Sequence, residues 1–458
     1  MKKSILSAGI LAMLVAGCSN NEVLDNGKTT PTMGNPDVIG ATVSTGKVSR
    51  AVSYAVQNLM DDANGFNVIA FDNDASSKKH RFSDAYKWNK TTMEWEWGRG
   101  IEGAEADLKK WPKEAGKYPM YFYAYYPNSI QGITENNLKY TPTIAANAKD
   151  QIDYLFAYTK VSDMKDKPIT GNVSLNFKHI LSKMNFKVAV GANRTVAIQS
   201  IKIVNVGNSG NSYNYDVETG QWKGTSPTSG SQTYTHRSYG ANDGLGYTYP
   251  AELKGGSTAP ITSEVPGNSE YLMLLPQGTG HIAWDVEAFK VQVADWATSN
   301  GALSSTEANK NWYDNLTSGT PSGMKDATSW NGARVEVVYR MWDTTTGKDY
   351  AGWTKGADMG SGKIADRDLY IRVGYSLDLA KTPWKAGNMY TYTIKLGSKD
   401  ATGGTLLDPD FKDGTGTNQP DKPVDNPAKN PGDPVNENDV IGFDVTVDEW
   451  IDNSQTLN

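Results

Sequence analysis

Side chains able to do chemistry are few in this chain of 458 residues, and the first of them is its one cysteine. Cys18 closes the run Val15-Ala16-Gly17-Cys18, behind Lys2, Lys3 and an apolar stretch from Ile5 to Val15. A basic start, a short apolar core and small residues at the end form an export signal, and the stretch is too short to cross a bilayer. With cysteine at the cleavage position the pattern is a lipobox, in which the Cys18 thiol becomes a diacylglyceryl thioether and the residue becomes the mature N-terminus. Two or three acyl chains, at ~0.8 kcal/mol per buried methylene, then hold the protein on a membrane. The competing reading is an ordinary signal peptide with an incidental cysteine.

The remaining chemistry is thin. A lone cysteine makes neither an intrachain disulfide nor a Cys-based zinc site. His80, His179, His236 and His281 stand at long spacings, so no metal, cofactor or acid-base centre is expected, and the chain does not read as an enzyme. His179, inside Phe177-Lys178-His179-Ile180, reads as a hydrogen-bonded core or edge residue. Asp72-Asn73-Asp74 and the stretch from Asp408 to Asp413 offer oxygen ligands but lack the spacing of a twelve-residue calcium loop, and read as turns. Trp88, Trp95, Trp97 and Trp111 cluster as a sugar-stacking face would, although core or subunit interface is the commoner fate of such residues. With 45 Lys and Arg against 51 Asp and Glu, a net charge of -6 and no long basic block, nucleic acid is not an expected partner.

The elements around these residues are strands. The chain holds 45 Gly, 20 Pro, 24 Tyr and 13 Trp, a balance of turns and β-formers. Period-2 alternation or β-branched and aromatic enrichment marks Gly65 to Phe71, Tyr118 to Tyr126, Val173 to Val190, Val196 to Val206, Tyr271 to Leu275, Val286 to Val293, Arg334 to Trp342, Leu369 to Leu377 and Met389 to Leu396. Turn-rich loops join them without regular helices, which predicts antiparallel sandwiches rather than a parallel α/β sheet. The length suits two such domains. The expected division is a signal at 1–18, a tether and first strand at 19–50, sandwiches at 51–170 and 171–407, a polar linker at 408–439 and a C-terminal strand at 440–458. The join rests on the polar, turn-rich Val161 to Asn172. Long loops from Gly207 to Pro266 and from Ala297 to Gly332 are where binding is expected.

The two ends echo each other. Asp37-Val38-Ile39-Gly40-Ala41-Thr42-Val43-Ser44 matches Asp439-Val440-Ile441-Gly442-Phe443-Asp444-Val445-Thr446 at five of eight positions. In one groove, Ile39, Ala41 and Val43 would face the core where Ile441, Phe443 and Val445 do, and Phe443 offers more apolar area than Ala41, so the C-terminal copy is expected to bind better. Alternatively, both are edge strands of their own sandwich. Between the first copy and the first sandwich lies Lys47-Val48-Ser49-Arg50-Ala51, where a trypsin-like protease could cut after Arg50; an incidental surface arginine is the other reading.

Further runs carry a resemblance. They are Phe122-Tyr123-Ala124-Tyr125-Tyr126-Pro127, Asp153-Tyr154-Leu155-Phe156-Ala157, Phe177 to Met184, Met273-Leu274-Leu275-Pro276-Gln277 and Trp384 to Ile394. Together with the lipobox at Cys18 and the Ser49-Arg50-Ala51 joint, they resemble the fimbrillin-like lipoproteins that build type V pili, over nearly the whole chain. The resemblance implies two transthyretin-like antiparallel β-sandwich domains, a lipid on Cys18 anchoring the protein to the outer membrane, and cleavage between Arg50 and Ala51 by an arginine-specific protease. It further implies loss of the first strand (Ile39, Ala41, Val43) and its replacement by a neighbouring subunit's C-terminal strand through Ile441, Phe443, Val445 and Val447. The partners implied are other pilin subunits and a host glycan or protein ligand. The linker at 408–439 is longer and more polar than the family's usual connection, which leaves open whether the last strand folds back. A monomeric surface glycan-binding or adhesive lipoprotein, its last strand completing its own second domain, is the other function reading.

Overall fold

A computed structural model of the chain describes residues 37–45, 59–74, 77–91, 93–97, 109–168, 171–207, 213–224, 232–238, 252–255, 261–264, 271–278, 281, 283–285, 332–345, 358–359, 362–363, 371–398, 405–406 and 440–449. Cys18, Arg50, Ala51, the tether, the linker at 408–439 and the strand expected at Val286 to Val293 lie outside the described residues, as does most of both long loops.

In chain order the first strands are β1 (Gly40–Thr45), β2 (Phe66–Asp74), β3 (Ser77–Asn89), β4 (Glu94–Trp97), β5 (Met120–Tyr126), β6 (Lys139–Tyr140), β7 (Leu155–Val161) and β8 (Asn172–His179). All but β6 form one sheet that closes on itself in the order β1-β4-β3-β2-β5-β7-β8. β8 shows why the chain folds this way: Val173, Leu175 and Phe177 are buried while Ser174, Asn176 and Lys178 are exposed, the period of a strand with one dry face. Inside the barrel the Phe66 ring stacks on Tyr86 and meets Trp95 and Phe177 edge-on at 4.9 and 5.2 Å. β3 escapes the sequence reading because Phe82 and Tyr86 are its only fully buried apolar residues and the rest is charged or polar.

The later strands are β9 (Ser182–Val190), β10 (Arg194–Val206), β11 (Asn214–Asp216), β12 (Gln221–Lys223), β13 (Gln232–Ser238), β14 (Glu252–Lys254), β15 (Ile261–Glu264), β16 (Leu272–Leu274), β17 (Arg334–Asp343), β18 (Asp358–Met359), β19 (Gly362–Lys363), β20 (Ile371–Ser376), β21 (Asn388–Ser398), β22 (Thr405–Leu406) and β23 (Val440–Glu449). One sheet runs β13-β10-β17-β20-β22 with β14 beside β10, another runs β15-β9-β21-β23 with β16 beside β9, and β18 and β19 form a separate hairpin. The two larger sheets share a core. Ile198 and Ile201 of β10 and Val335 and Val337 of β17 meet Phe186 and Val188 of β9 and Tyr392 and Ile394 of β21 in one buried cluster.

The chain is all-β, as its composition and patterning predict. Two details stand out against the expectation. First, β8, which lies beyond the expected join at 170/171, pairs with β7 and β1 and closes the first sheet. The polar Val161 to Asn172 segment is the surface connection from β7 to β8, and the chain crosses between the halves at Ile180 and Leu181, both 0% exposed. Second, pairing is not purely antiparallel: β1 runs parallel to β8 and β9 parallel to β21, partners distant in sequence and so free of the hairpin constraint. The last strand, β23, pairs with β21, the fold-back that the sequence leaves open.

The halves are tied together. β6 of the first pairs with β11 of the second, giving a small β12-β11-β6 sheet. Phe156 lies 5.0 Å from Tyr215, Met273 N donates to Gln151 Oε1 at 2.6 Å, and Lys78 pairs with Glu218.

Candidate functional site

The first echo segment is built into the barrel. β1 runs parallel to β8 from Gly40↔Asn172 to Thr45↔Phe177 and meets β4 at Ala41↔Trp95. Ile39 and Ala41 are buried at 0% and 5% exposure, and Val43 is half-buried against the same core. The segment before β1 is clamped as well: Ile39 N donates to Lys109 O, and Trp111 N to Asp37 O, both at 2.9 Å. Trp111 Nε1 donates to Gly171 O at 2.8 Å, and Lys167 reaches Asp37 at 3.6 Å. Lys109, 2% exposed, is paired with Asp84, with its ammonium 4.4 Å from the Trp97 ring centre.

From β3, two strands along the sheet, the Tyr86 hydroxyl donates to Ile39 O at 3.0 Å. Burial, and then the Asp84 charge, hold that phenol well above its ordinary pKa, so it remains a neutral donor. On the outer face, Gly40, Thr42 and Ser44 stand beside Asn172, Ser174 and Asn176, and Ser44 Oγ donates to Asn176 Oδ1 at 3.4 Å.

The second echo segment is an edge strand. β23 pairs antiparallel with β21, its register placing Phe443, Val445 and Val447 opposite Ile394, Tyr392 and Tyr390, three buried residues. A register irregularity between Lys395 and Ser398 falls at Ile441. Among the described residues β21 is its one strand neighbour. The two echo segments therefore lie in different sheets, β1 between two strands and β23 beside one.

The other candidate residues are structural. His179 is 8% exposed and its Nδ1 meets Asp153 Oδ2 at 2.9 Å; Asp153 lies in the run before β7 and braces the crossing between the halves. His236 packs against Phe186 at 4.8 Å, His281 is buried, and His80 is an exposed residue of β3 that meets Ser83 Oγ at 2.9 Å. Among the described residues no group of three or more His, Cys, Asp or Glu is arranged to hold a metal. Asp72 is 5% exposed and ion-paired with Arg81 at 2.9 Å, while Asp74 meets Lys79 at 3.2 Å across the β2–β3 turn. Trp95 and Trp111 are core residues; Trp88 and Trp97 are half-buried against them, with Trp88 edge-on to Trp95 at 5.4 Å.

The comparisons point the same way as the residue runs. A family model described as fimbrillin-like matches residues 49–325, more than half of the chain. The chain belongs to the fimbrillin-like family. Among solved structures, a candidate cell adhesion protein from Bacteroides uniformis aligns at 12% identity over 90% of this chain and 99% of its own, with a TM-score of 0.38. Another from Parabacteroides distasonis aligns at 9% identity over 92% and 97%, with a TM-score of 0.36. The tip fimbrial protein Mfa3 of Porphyromonas gingivalis, truncated at its C-terminus, aligns at 8% identity over 86% and 96%, with a TM-score of 0.31. No curated protein matches the chain in sequence.

Fimbrillin-like proteins are fimbrial and adhesion components of the cell surface rather than enzymes, and the runs that carry the resemblance here fall on structural contacts. Phe177 to Met184, Met273 to Gln277 and Trp384 to Ile394 converge where β9 lies between β16 and β21. There Gln277 and Trp384 exchange backbone hydrogen bonds at 2.8 and 3.1 Å, Trp384 Nε1 donates to the Tyr392 hydroxyl at 2.8 Å, and Ser182 Oγ donates to Lys385 O at 2.9 Å.

What sequence reading missed in this fimbrillin-like chain is the acceptor side: Asn172, Ser174 and Asn176 of β8, and Lys109 to Trp111 as the clamp. The alternation of β8 was visible; its placement beside β1 was not.

Proposed function

We propose that this chain is a structural subunit of a type V pilus, exported as an outer-membrane lipoprotein on Cys18 and assembled by strand exchange after cleavage between Arg50 and Ala51. The observation that carries the reading is the position of β1, which precedes Arg50 in the chain and closes the barrel between β4 and β8. Cutting after Arg50 separates β1 covalently from every strand it pairs with. Its departure leaves the β8 and β4 edges and the pocket of Ile39 open to water, and an open edge with an apolar trough recruits a strand. In the intact chain β23 is held on β21. Its release costs one ladder of hydrogen bonds, and about 3.3–3.6 Å of reach per residue gives the linker at 408–439 ample span to a neighbour.

The surroundings of Ala41 bear on how a donated strand would fit. Ala41 sits opposite buried Trp95, so a phenylalanine in its place must displace packed atoms at roughly 1–3 kcal/mol, which offsets the roughly 1.5–3 kcal/mol gained from extra apolar area. Exchange is therefore driven by the loss of β1 through cleavage rather than by a better fit of Phe443. Treatment with an arginine-specific protease followed by size exclusion tests the reading: a ladder of oligomers from the native chain, none from Arg50→Ala, and none when Val440 to Asn458 is deleted.

A second reading is favoured by the β21–β23 pairing itself. The last strand completes its own half, and the protein is a monomeric surface adhesin. A persistent monomer after cleavage supports that reading and ends the first.

A further inference from the structure

The echo between the chain ends includes a glycine in each copy, Gly40 and Gly442, and the barrel supplies a reason for the first. Gly40 stands level with Asn172 on the outer face of β8. A Cβ built on Gly40 would lie 2.9 Å from Asn172 Cγ and closer still to its Oδ1. Both atoms belong to the side chain of half-exposed Asn172, whose Cα stands at an ordinary 3.8 Å, so a larger residue at this level fits only if the carboxamide turns away about χ1. Gly40 N meanwhile donates to Gly171 O at 3.1 Å, which fixes the backbone at that level and prevents the strand from backing away.

From this we infer that Asn172 is a register reader, favouring glycine in the strand beside it, and that Gly442 sets the register in which a donated strand enters the slot left by β1. The inference rests on the strand-exchange reading and adds the residue pair that gives it specificity. Gly442 is the one glycine in Val440–Glu449, so a single register satisfies Asn172. A slip of two residues preserves the inward face but brings Val440 or Asp444 against the carboxamide. With Gly442 level with Asn172, Asp444 comes level with Ser174 and Thr446 with Asn176, the place where the Ser44 hydroxyl now donates. Thr446 keeps that hydroxyl, and Asp444 brings an acceptor to the Ser174 hydroxyl. The partner recognised is thus a second copy's Val-Ile-Gly-Phe segment, selected by what the outer row cannot accommodate as well as by what the core buries.

Gly442 also stands next to the register irregularity on β21, where glycine is common for its own reasons. The test separates the two roles. In the assembly of the full chain triggered by an arginine-specific protease, Gly442→Val is expected to slow ladder formation on the order of tenfold or more. Adding Asn172→Ala to the same chain is expected to restore it, which a role confined to β21 would not allow. Assembly of Gly442→Val at the native rate, or no rescue by Asn172→Ala, overturns the inference while leaving strand exchange intact. If the native chain forms no ladder, strand exchange itself falls and Gly442 loses its role with it. The unprocessed chain isolates the reader: Gly40→Val should lower the melting temperature and Asn172→Ala should recover it, and a Gly40→Val chain as stable as the native one contradicts a preference for glycine at this site.

Discussion

β1 and β23 share five of eight residues in their echo segments yet hold opposite positions in the fold. β1 is flanked by β8 and β4, clamped at its entry by Lys109 and Trp111, and buries Ile39 completely. β23 runs along β21 at the end of its sheet order. Similar strand sequences thus carry no address. One is held between two strands and the other, among the described residues, beside one, the asymmetry expected if the first strand is sacrificed and the last lent.

The sharpest way to break the comparison is deletion. Removing 37–45 from the intact chain should abolish the cooperative unfolding of the barrel half, whereas removing 440–458 should leave both halves with their transitions; denaturant unfolding followed by near-ultraviolet circular dichroism distinguishes the two. If the second deletion also removes a folding transition, β23 is a permanent part of its sheet. Next in size is Ile39→Ala, a fully buried truncation expected to cost about 2–5 kcal/mol by denaturant titration. Ala41→Phe should destabilise the intact chain by about 1–3 kcal/mol through crowding against Trp95; no loss would mean that the slot already has room for Phe443.

The smallest expected effect lies at the junction between the halves. Burial raises the Asp216 pKa, but the hydrogen bond from Lys223 Nζ at 2.6 Å and the backbone donors Thr219 and Glu218 outweigh it and hold the carboxyl below its ordinary value. A carboxylate with a depressed folded pKa contributes stability that is present above the unfolded value and is lost as pH falls through the folded one. Acid below the usual carboxylate range should therefore loosen the β11–β12 turn and its β6 pairing, and Asp216→Asn should flatten that dependence, read as melting temperature against pH.

Much of this architecture is legible in the sequence because strands show either period-2 alternation or runs of β-branched and aromatic residues: β2, β5, β10, β17, β20 and β21 all fall on segments marked in one of these ways. β3 does not, because its apolar side consists of two aromatic residues among lysines. A polar turn such as Val161 to Asn172 looks the same in sequence whether it links two domains or, as here, two strands of one sheet. Parallel partnerships between β1 and β8 and between β9 and β21 leave no local trace, since nothing between the partners encodes them. The glycine in each echo was visible as a match, but its reason lies in Asn172, far along the chain.

The central claim is that β23 exchanges Thr391 of its own chain for Asn176 of another. Thr446 now stands level with Thr391, and in the proposed polymer it stands where Ser44 does, level with Asn176. Copies carrying Thr446→Cys and copies carrying Asn176→Cys should be mixed, cleaved after Arg50 and oxidised. The account predicts a disulfide-linked pair of different copies that appears only after cleavage. A chain carrying Thr446→Cys with Thr391→Cys that still closes its internal disulfide after cleavage, with no link between copies in the mixture, would contradict it.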